Sequence, residues 1–346
     1  MTFEPKKKLR VIVLVHQDLV PPDTLDGLTD KEKLEVQTEY DVVATLRKMG
    51  HDVYPVGLYN QLNVIGDALM EYKPHIAFNL LEEFHGYPLY DQHVVSYLEL
   101  MKQAYTGCNP RGMTLAHDKA LTKMILAYHR LQVPGFAVFP MNRKITRPKR
   151  LKFPILVKSI SEEGSVGISQ ASIVHDDEKL KQRVEFIHRQ NKTAAIAEQF
   201  IKGREIYVGV IGNQNIQTYA PWELVMEKLP ESSENIATLK VKWDPAYQEK
   251  VGVKTLAADL TPEQHKMLER LSKRIYRYLS LSGYARLDYR LTEEGQFYLI
   301  EANPNPQIAD GEDFAASAAH GGIPYDQLLQ KIITVGLNYQ AANYPP

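Results

Sequence analysis

The stretch GYARLDYRLTEEGQFYLIEANPNP, Gly283 to Pro306, holds the residues of this chain whose types and spacing best suit chemistry. ARLDYRL and QFYLIEAN alternate apolar with polar residues, and Glu293-Glu294-Gly295 between them can reverse the chain, so the pair reads as an antiparallel hairpin. On the first strand Arg286, Asp288 and Arg290 point the same way, and on the second Tyr298 is followed by Glu301 and Asn303 at the exit. Paired strands share faces, so Asp288 and Glu301 can converge on one hard cation, with the Asn303 amide oxygen as a further ligand and Arg286 beside them. Such an all-oxygen set suits magnesium carrying phosphate, not zinc.

Two further stretches have types suited to a nucleotide. SEEGSVGIS follows a strand that ends in Lys158; backbone N–H groups in a turn rich in glycine and serine can cradle phosphate oxygens, and Lys158 supplies a point charge. Its spacing is neither a Walker loop nor a dinucleotide motif. AIAEQFIKGRE is an apolar strand ending in a carboxylate and an aromatic residue, Glu198 and Phe200, that leaves through Lys202-Gly203 to Glu205. There Glu198 and the neighbouring backbone can take the exocyclic amine of adenine, and Glu205 the ribose hydroxyls.

The elements that must position these residues follow from periodicity. LRVIVLV reads as a central parallel strand, and TEYDVVATLRKMGHDVYPVG as an amphipathic helix, a stop at Gly50 and a second strand, which together make a βαβ opening. A helix over Ile65 to Tyr72, the strand HIAFNLL, a helix over Asp91 to Lys102 and AYTG continue it to about residue 108. Val15 to Asp18 and Leu80 to Gly86 then lie at the carboxyl ends of strands, where ligands bind such sheets. A helix begins at Asp118 and stops at Pro134-Gly135; FPILVKSI, a helix near Asp177 to Gln190 and AAIAEQFI follow. REIYVGVIGN, an irregular stretch from Glu223 to Lys254, and a long helix over Pro262 to Ser282 lead into the hairpin, and helices near Asp313 to Ala319 and Tyr325 to Leu337 close the chain.

Composition narrows the class. At 346 residues the chain suits two or three compact subdomains, and 41 basic against 42 acidic residues, spread evenly, argue against nucleic acid or a membrane surface as partner. A lone cysteine, Cys108, excludes an internal disulfide framework and fits a reducing cytoplasm. The basic start, MTFEPKKKLRVIVLV, lacks the apolar length and cleavage site of a signal peptide, and nothing approaches a transmembrane length.

In this order the motifs resemble the ATP-grasp superfamily in its D-alanine:D-alanine ligase-like branch, from about residue 9 to about residue 338. The resemblance aligns the family's glutamate for the first substrate's amine with Glu35, its histidine-glycine pair with His85-Gly86 ahead of Tyr105-Thr106-Gly107, and its aspartate-lysine with Asp118 and Lys119. Its phosphate-loop lysine and serine fall on Lys158 and Ser165, its adenine and ribose carboxylates on Glu198 and Glu205, and its transition-state arginine and metal ligands on Arg286, Asp288, Glu301 and Asn303. What it implies is an α/β chain, α+β in its ATP-binding part: a parallel-sheet pre-ATP-grasp domain at 1–110, a central ATP-grasp subdomain at 111–202 and a C-terminal one at 203–346. It also implies ATP, two magnesium ions that manganese can replace, amino-acid-like small molecules as substrates, and a homodimer. The activity implied is carboxylate-amine ligation through an acyl phosphate; D-alanine:D-alanine ligation proper, a kinase or carboxylase, and a non-catalytic ATP binder are the competing readings.

Two departures bear on the substrate. The family's loop pair of lysine and tyrosine becomes Ala246-Tyr247, so Lys242 or Lys240 must reach the γ-phosphate from another point of the loop. After the metal ligands, Gln307 stands at a glycine position, and Asp310, Glu312 and Asp313 stand near a serine that in relatives takes the acceptor's carboxylate. Acids there repel a carboxylate and attract a cation, so Glu312 and Asp313 are expected to meet a positively charged acceptor.

Overall fold

The computed structural model describes residues 7–160, 168–230 and 233–341. The first unit is the expected βαβ arrangement: β1 (Arg10–His16), α1 (Asp30–Glu35), α2 (Gln37–Lys48), β2 (Asp52–Leu58), α3 (Asn63–Tyr72), β3 (Ile76–Asn79) and α4 (Asp91–Leu100). The three strands are parallel, with β1 in the centre. Alternate residues of β1 enter different cores, Ile12 and Leu14 on one face and Val11, Val13 and Val15 on the other, which is why its sequence is apolar throughout.

Next come α5 (Pro110–His117), which the sequence reading did not foresee, and α6 (Lys119–Tyr128). Asn109 caps the first by accepting from Gly112 N, and Asp118 caps the second by accepting from Ala120 N and Leu121 N. Helix α6 stops well before Pro134: the chain turns through Arg130 at φ 56°. A sheet in the order β4-β7-β5-β6 follows, built from β4 (Phe136–Phe139), β5 (Ile155–Ser159), β6 (Ile173–Val174) and β7 (Ala195–Gln199), with α7 (Asp177–Gln190) between β6 and β7. Its core is separate: Phe139, Ile155, Val157, Leu180, Val184 and Ile187 pack among themselves. The phosphate-loop stretch Ser161 to Gly167, with Ser165, lies outside the described residues.

The last sheet runs β11-β10-β8-β12-β13, with β9 against β8. Its elements are β8 (Arg204–Ile211), β9 (Gln217–Thr218), β10 (Trp222–Met226), α8 (Leu239–Trp243), α9 (Pro245–Val251), β11 (Val253–Ala257), α10 (Pro262–Tyr278), β12 (Tyr284–Leu291) and β13 (Phe297–Pro304), followed by α11 (Asp313–His320) and α12 (Tyr325–Leu337). Glu223 to Lys254 is therefore not irregular. WELVM finds its partner in β8 and VKTLA finds its partner in β10, pairings invisible to local pattern. The long helix α10 ends four residues short of Ser282, because Ser280 takes φ 53°. Helix α12 returns to pack against α2 and β3, so the end of the chain completes the first unit.

The first and last sheets share their cores. Ile12, Leu14 and Ala77 sit in one cluster with Ile206, Val208, Leu287 and Tyr289. The seam is tight where the Tyr105-Thr106-Gly107 turn meets the start of β12: Gly283 has φ +66°, and a Cβ there would lie 2.0 Å from the Gly107 carbonyl oxygen. Cys108 beside it is buried, and its N–H donates to Asn305 Oδ1 at 2.7 Å.

Candidate active site

Strands β12 and β13 pair as the sequence pattern requires, with Asp288 opposite Glu301 and Arg286 opposite Asn303. The register shifts between Asp288 and Tyr289, which leaves Ile300 as an unpaired extra residue, a β-bulge. The bulge explains how Tyr298 and Glu301, three residues apart, both serve this hairpin.

A cleft opens between this hairpin and the central sheet. Lys158, Glu198, Phe200, Glu205, Lys242, Asp288, Arg290, Ile300 and Glu301 line it, so seven of the predicted site residues meet in one place. Its apolar end is Leu156, Ile168, Ile173, Phe200 and Ile236 packed together, a slot suited to a flat base. A second cavity of about 540 Å³, between Thr218 to Pro221 and α10, contains none of the predicted residues.

Charge is arranged in buried pairs along the cleft. Lys119 Nζ lies 2.9 Å from Glu301 Oε1. Lys158 Nζ lies 3.3 Å from Glu198 Oε2, whose other oxygen is 2.8 Å from Lys123 Nζ. Burial opposes ionisation of Glu198 and Glu301, but the lysines around them outweigh it and hold both carboxyls below the ordinary range. Burial also opposes the charge on Lys158, yet Glu198, Glu301 and Asp288 raise it above its usual value. Lys123 goes the other way: burial, with Lys158 adding its repulsion, prevails over Glu198.

Arg286 donates to both oxygens of Asp288, at 2.8 and 3.0 Å, and Asn303 Nδ2 donates to Asp288 Oδ2 at 2.9 Å. The guanidinium lies 4.5 Å above the Tyr207 ring and 3.9 Å from Asp313 Oδ2. Burial nevertheless pushes Asp288 up against the pull of Arg286. Glu205 accepts from Tyr207 Oη at 2.8 Å and from buried Arg290 at 2.5 Å, which fixes its carboxylate at the cleft.

Lys119, Arg286 and Asn303 stand directly behind Glu301 and Asp288, whereas Lys240, Tyr247, Glu35, His85 and Glu312 lie away from the cleft. Of the loop lysines, Lys242 lines the cleft; its charge helps to lower Glu301 and opposes, without overcoming, the burial that raises Asp288. Lys240 instead lies 5.9 Å from the Tyr247 ring. Tyr247 itself packs against Tyr207, Leu224, Met226, Val241 and Val251, since α9, capped by Asp244, turns that face inward; contact with a phosphate would require α9 to move. Glu35 ends α1, exposed and 3.6 Å from Lys31. His85 is exposed at φ 57°, its N–H bonded to Tyr59 O and its ring edge-on to Tyr59 and Tyr87. Glu312 holds the N-cap position of α11 without a side-chain capping bond; its residue surface is exposed, but its carboxyl is turned to the side where Asp313 and Arg286 lie.

Lys123 was not foreseen. It follows Lys119 by one helical turn on α6, so the i, i+4 spacing was a usable signal, but its partners come from 75 and 177 residues away. Among the described residues no three His, Cys, Asp or Glu side chains gather around a cation position. No helix of the described residues is long and apolar enough to cross a membrane.

Comparison with known proteins supplies context. Residues 126–334 match the family model described as D-ala D-ala ligase C-terminus. The chain is 29% identical over 299 residues to an uncharacterized protein of Sinorhizobium fredii, with 85% of each covered. It is 26% identical over 326 residues to a D-alanine–D-alanine ligase of Aquifex aeolicus, covering 94% of this chain and 100% of that one. A solved D-alanine–D-alanine ligase of Bacillus anthracis complexed with ATP superposes with a TM-score of 0.72 at 22% identity, covering 95% of this chain and 97% of the other.

Proposed function

The chain belongs to the family of the D-ala D-ala ligase C-terminus, and from that premise we propose that it is an ATP-dependent ligase joining a carboxylate to an amine through an acyl phosphate. The cleft carries the conclusion: an apolar slot at one end, two carboxylates at the other with the Asn303 amide on Asp288 behind them, and buried lysines between. ATP fits there on one observation in particular. Glu198 Oε1 is buried with Lys123 Nζ 2.8 Å away, and a carboxylate oxygen accepts two hydrogen bonds, so it retains acceptor capacity for the amine of adenine.

Magnesium fits Asp288, Glu301 and Asn303, whose donors are all oxygen once Arg286 and Lys119 turn from the carboxylates to the phosphates. When bound, it would neutralise charge on the phosphates of ATP. Lys119, Lys158 and Lys242 hold the remaining phosphate charge, Glu205 takes the ribose hydroxyls, and the substrate carboxylate attacks the γ-phosphate in line. Arg286 then faces the oxyanion formed when the acceptor amine adds to the acyl phosphate. A non-catalytic binder is the weaker alternative, since binding alone does not require Arg286, Asp288, Glu301 and Asn303 together.

On the acceptor side, Gln307 donates to Thr38 Oγ1 at 3.3 Å, and Asp310 N donates to Asp41 at 3.1 Å, so the post-hairpin loop leans on α2 with acids on both sides. An acceptor with an extra positive charge or without a free carboxylate suits these surroundings better than D-alanine. A homodimer in a reducing cytoplasm completes the reading, the latter supported by the single buried, unpaired cysteine.

Incubation with Mg-ATP and an amino acid library, with and without hydroxylamine, tests the whole. ADP release with hydroxamate formation is expected. Phosphorylated products would indicate a kinase instead, and no ADP with any substrate would overturn the enzymatic conclusion.

A further inference from the structure

Lys123 is 1% exposed, yet its ammonium touches two different sheets. It lies 2.8 Å from Glu198 Oε1 on β7 and donates to the Ile300 carbonyl on β13 at 2.9 Å. The helix that carries it packs with the outer sheets: Leu126 of α6 shares a cluster with Leu287 and Leu299, whereas β7 belongs to the separate core of the central sheet. Ile300 is the bulged residue, and Glu301 follows it directly.

We propose that Lys123 is a positioning residue that couples the adenine end of the cleft to its metal end. A bulge leaves a backbone carbonyl outside the ladder and sets where the next side chain points. By holding that carbonyl, Lys123 aims Glu301 at the cation; by holding Glu198, it ties that aim to the strand that reads the base. A lysine needed only to balance Glu198 would have no use for the carbonyl, and Lys158 already supplies such a charge. The consequence is reciprocal: nucleotide binding at Glu198 orders the hairpin so that it binds metal more tightly, and metal at the hairpin tightens the nucleotide by the same factor.

The proposal rests on the nucleotide reading of the cleft and is tested by calorimetry with ADP, in EDTA and over a magnesium titration. For Lys123→Met, which keeps the apolar stem, the magnesium needed for half-maximal tightening of ADP should rise about 10- to 100-fold, the usual effect of losing a group that orients a metal ligand. Metal-free ADP affinity should fall by clearly less than that, since that binding does not pass through Glu301 and Glu198 keeps its second partner, Lys158. Lys123→Gln, which can donate to the carbonyl without charge, should recover part of the magnesium response. An unchanged magnesium response, or equal losses with and without metal, would overturn the coupling. Should the Met variant not fold, hydrogen exchange on the unmodified chain decides: ADP in EDTA should slow exchange in Leu299 to Ala302 as well as in β7, and protection confined to β7 refutes the proposal. If ADP does not bind the unmodified chain at all, it is the nucleotide reading that fails.

Discussion

Asp288 and Glu301 of the hairpin are each held by a cation that the reaction would use elsewhere, Asp288 by Arg286 and Glu301 by Lys119. These pairs keep buried charge compensated before the phosphates arrive, and they give the carboxylates a structural duty besides metal binding. Asp288→Asn together with Glu301→Gln should therefore abolish ADP formation and also cost stability, of the order of 3–5 kcal/mol, chiefly by removing the charge that Glu301 sets against buried Lys119. Thermal unfolding and ADP release, measured on the same preparation, check both halves. An ATP analogue added without metal should restore part of the lost melting temperature, because its phosphates re-pair Lys119 and Arg286. Near-normal turnover would remove the metal assignment, and an unchanged melting temperature would show the pairs to be dispensable.

Among the elements, α2 holds a carboxylate that the catalytic scheme does not use. Glu39 is 6% exposed, and burial, reinforced by nearby Glu82, raises it from 4.5 to about 7. Because the folded value lies above the unfolded one, the contribution to stability is fully present below about 4.5 and is lost as pH rises through 7. Glu39→Gln should remove that slope and leave the variant up to roughly 3 kcal/mol more stable than the parent at pH 8. Melting temperatures of the two proteins between pH 4.5 and 8 should converge at the acid end; parallel curves would refute the effect. The same helix illustrates what local pattern can and cannot disclose. Apolar periodicity announced α2 and β1, and the alternation in ARLDYRL and QFYLIEAN brought Asp288 opposite Glu301. The bulge at Ile300 was hidden, because an unpaired isoleucine is indistinguishable from a paired one until the register is known. Glu39 and Lys123 were hidden for the converse reason: on a helix they look solvated, and their burial is imposed by segments far away in the chain. The pairing of β10 with β8 was likewise out of reach, since long-range partners decide whether such a stretch is strand or loop.

At the scale of the whole molecule, the acceptor end is a junction. The start of α2 belongs to the first unit, Arg286 to the last sheet, and the loop from Gln307 to Asp313 runs between them, with Asp313 3.9 Å from Arg286 and Asp310 joined to Asp41. Glu312 makes no side-chain capping bond at the start of α11, which leaves the peptide dipoles as the structural reason for an acid there. Burial, then Asp313, raises Glu312, and burial, with Asp310 opposing its charge, raises Asp41. Carboxyls raised in this way are ones that a cation would relieve. An acceptor bearing a second amine, an amino acid amide or a basic side chain should accordingly outcompete a neutral α-amino acid in ADP release. Asp313 faces Arg286, so its removal would disturb the oxyanion side as well; Asp310→Asn with Glu312→Gln is the cleaner change. That pair should shift preference toward the neutral amino acid by raising KM for the charged acceptor while kcat for the neutral one holds. The charged preference should also weaken with added salt, as an electrostatic origin demands. A strong preference for a neutral amino acid in the parent, unmoved in the double variant, would mean that the acids serve the junction between the units and not the acceptor.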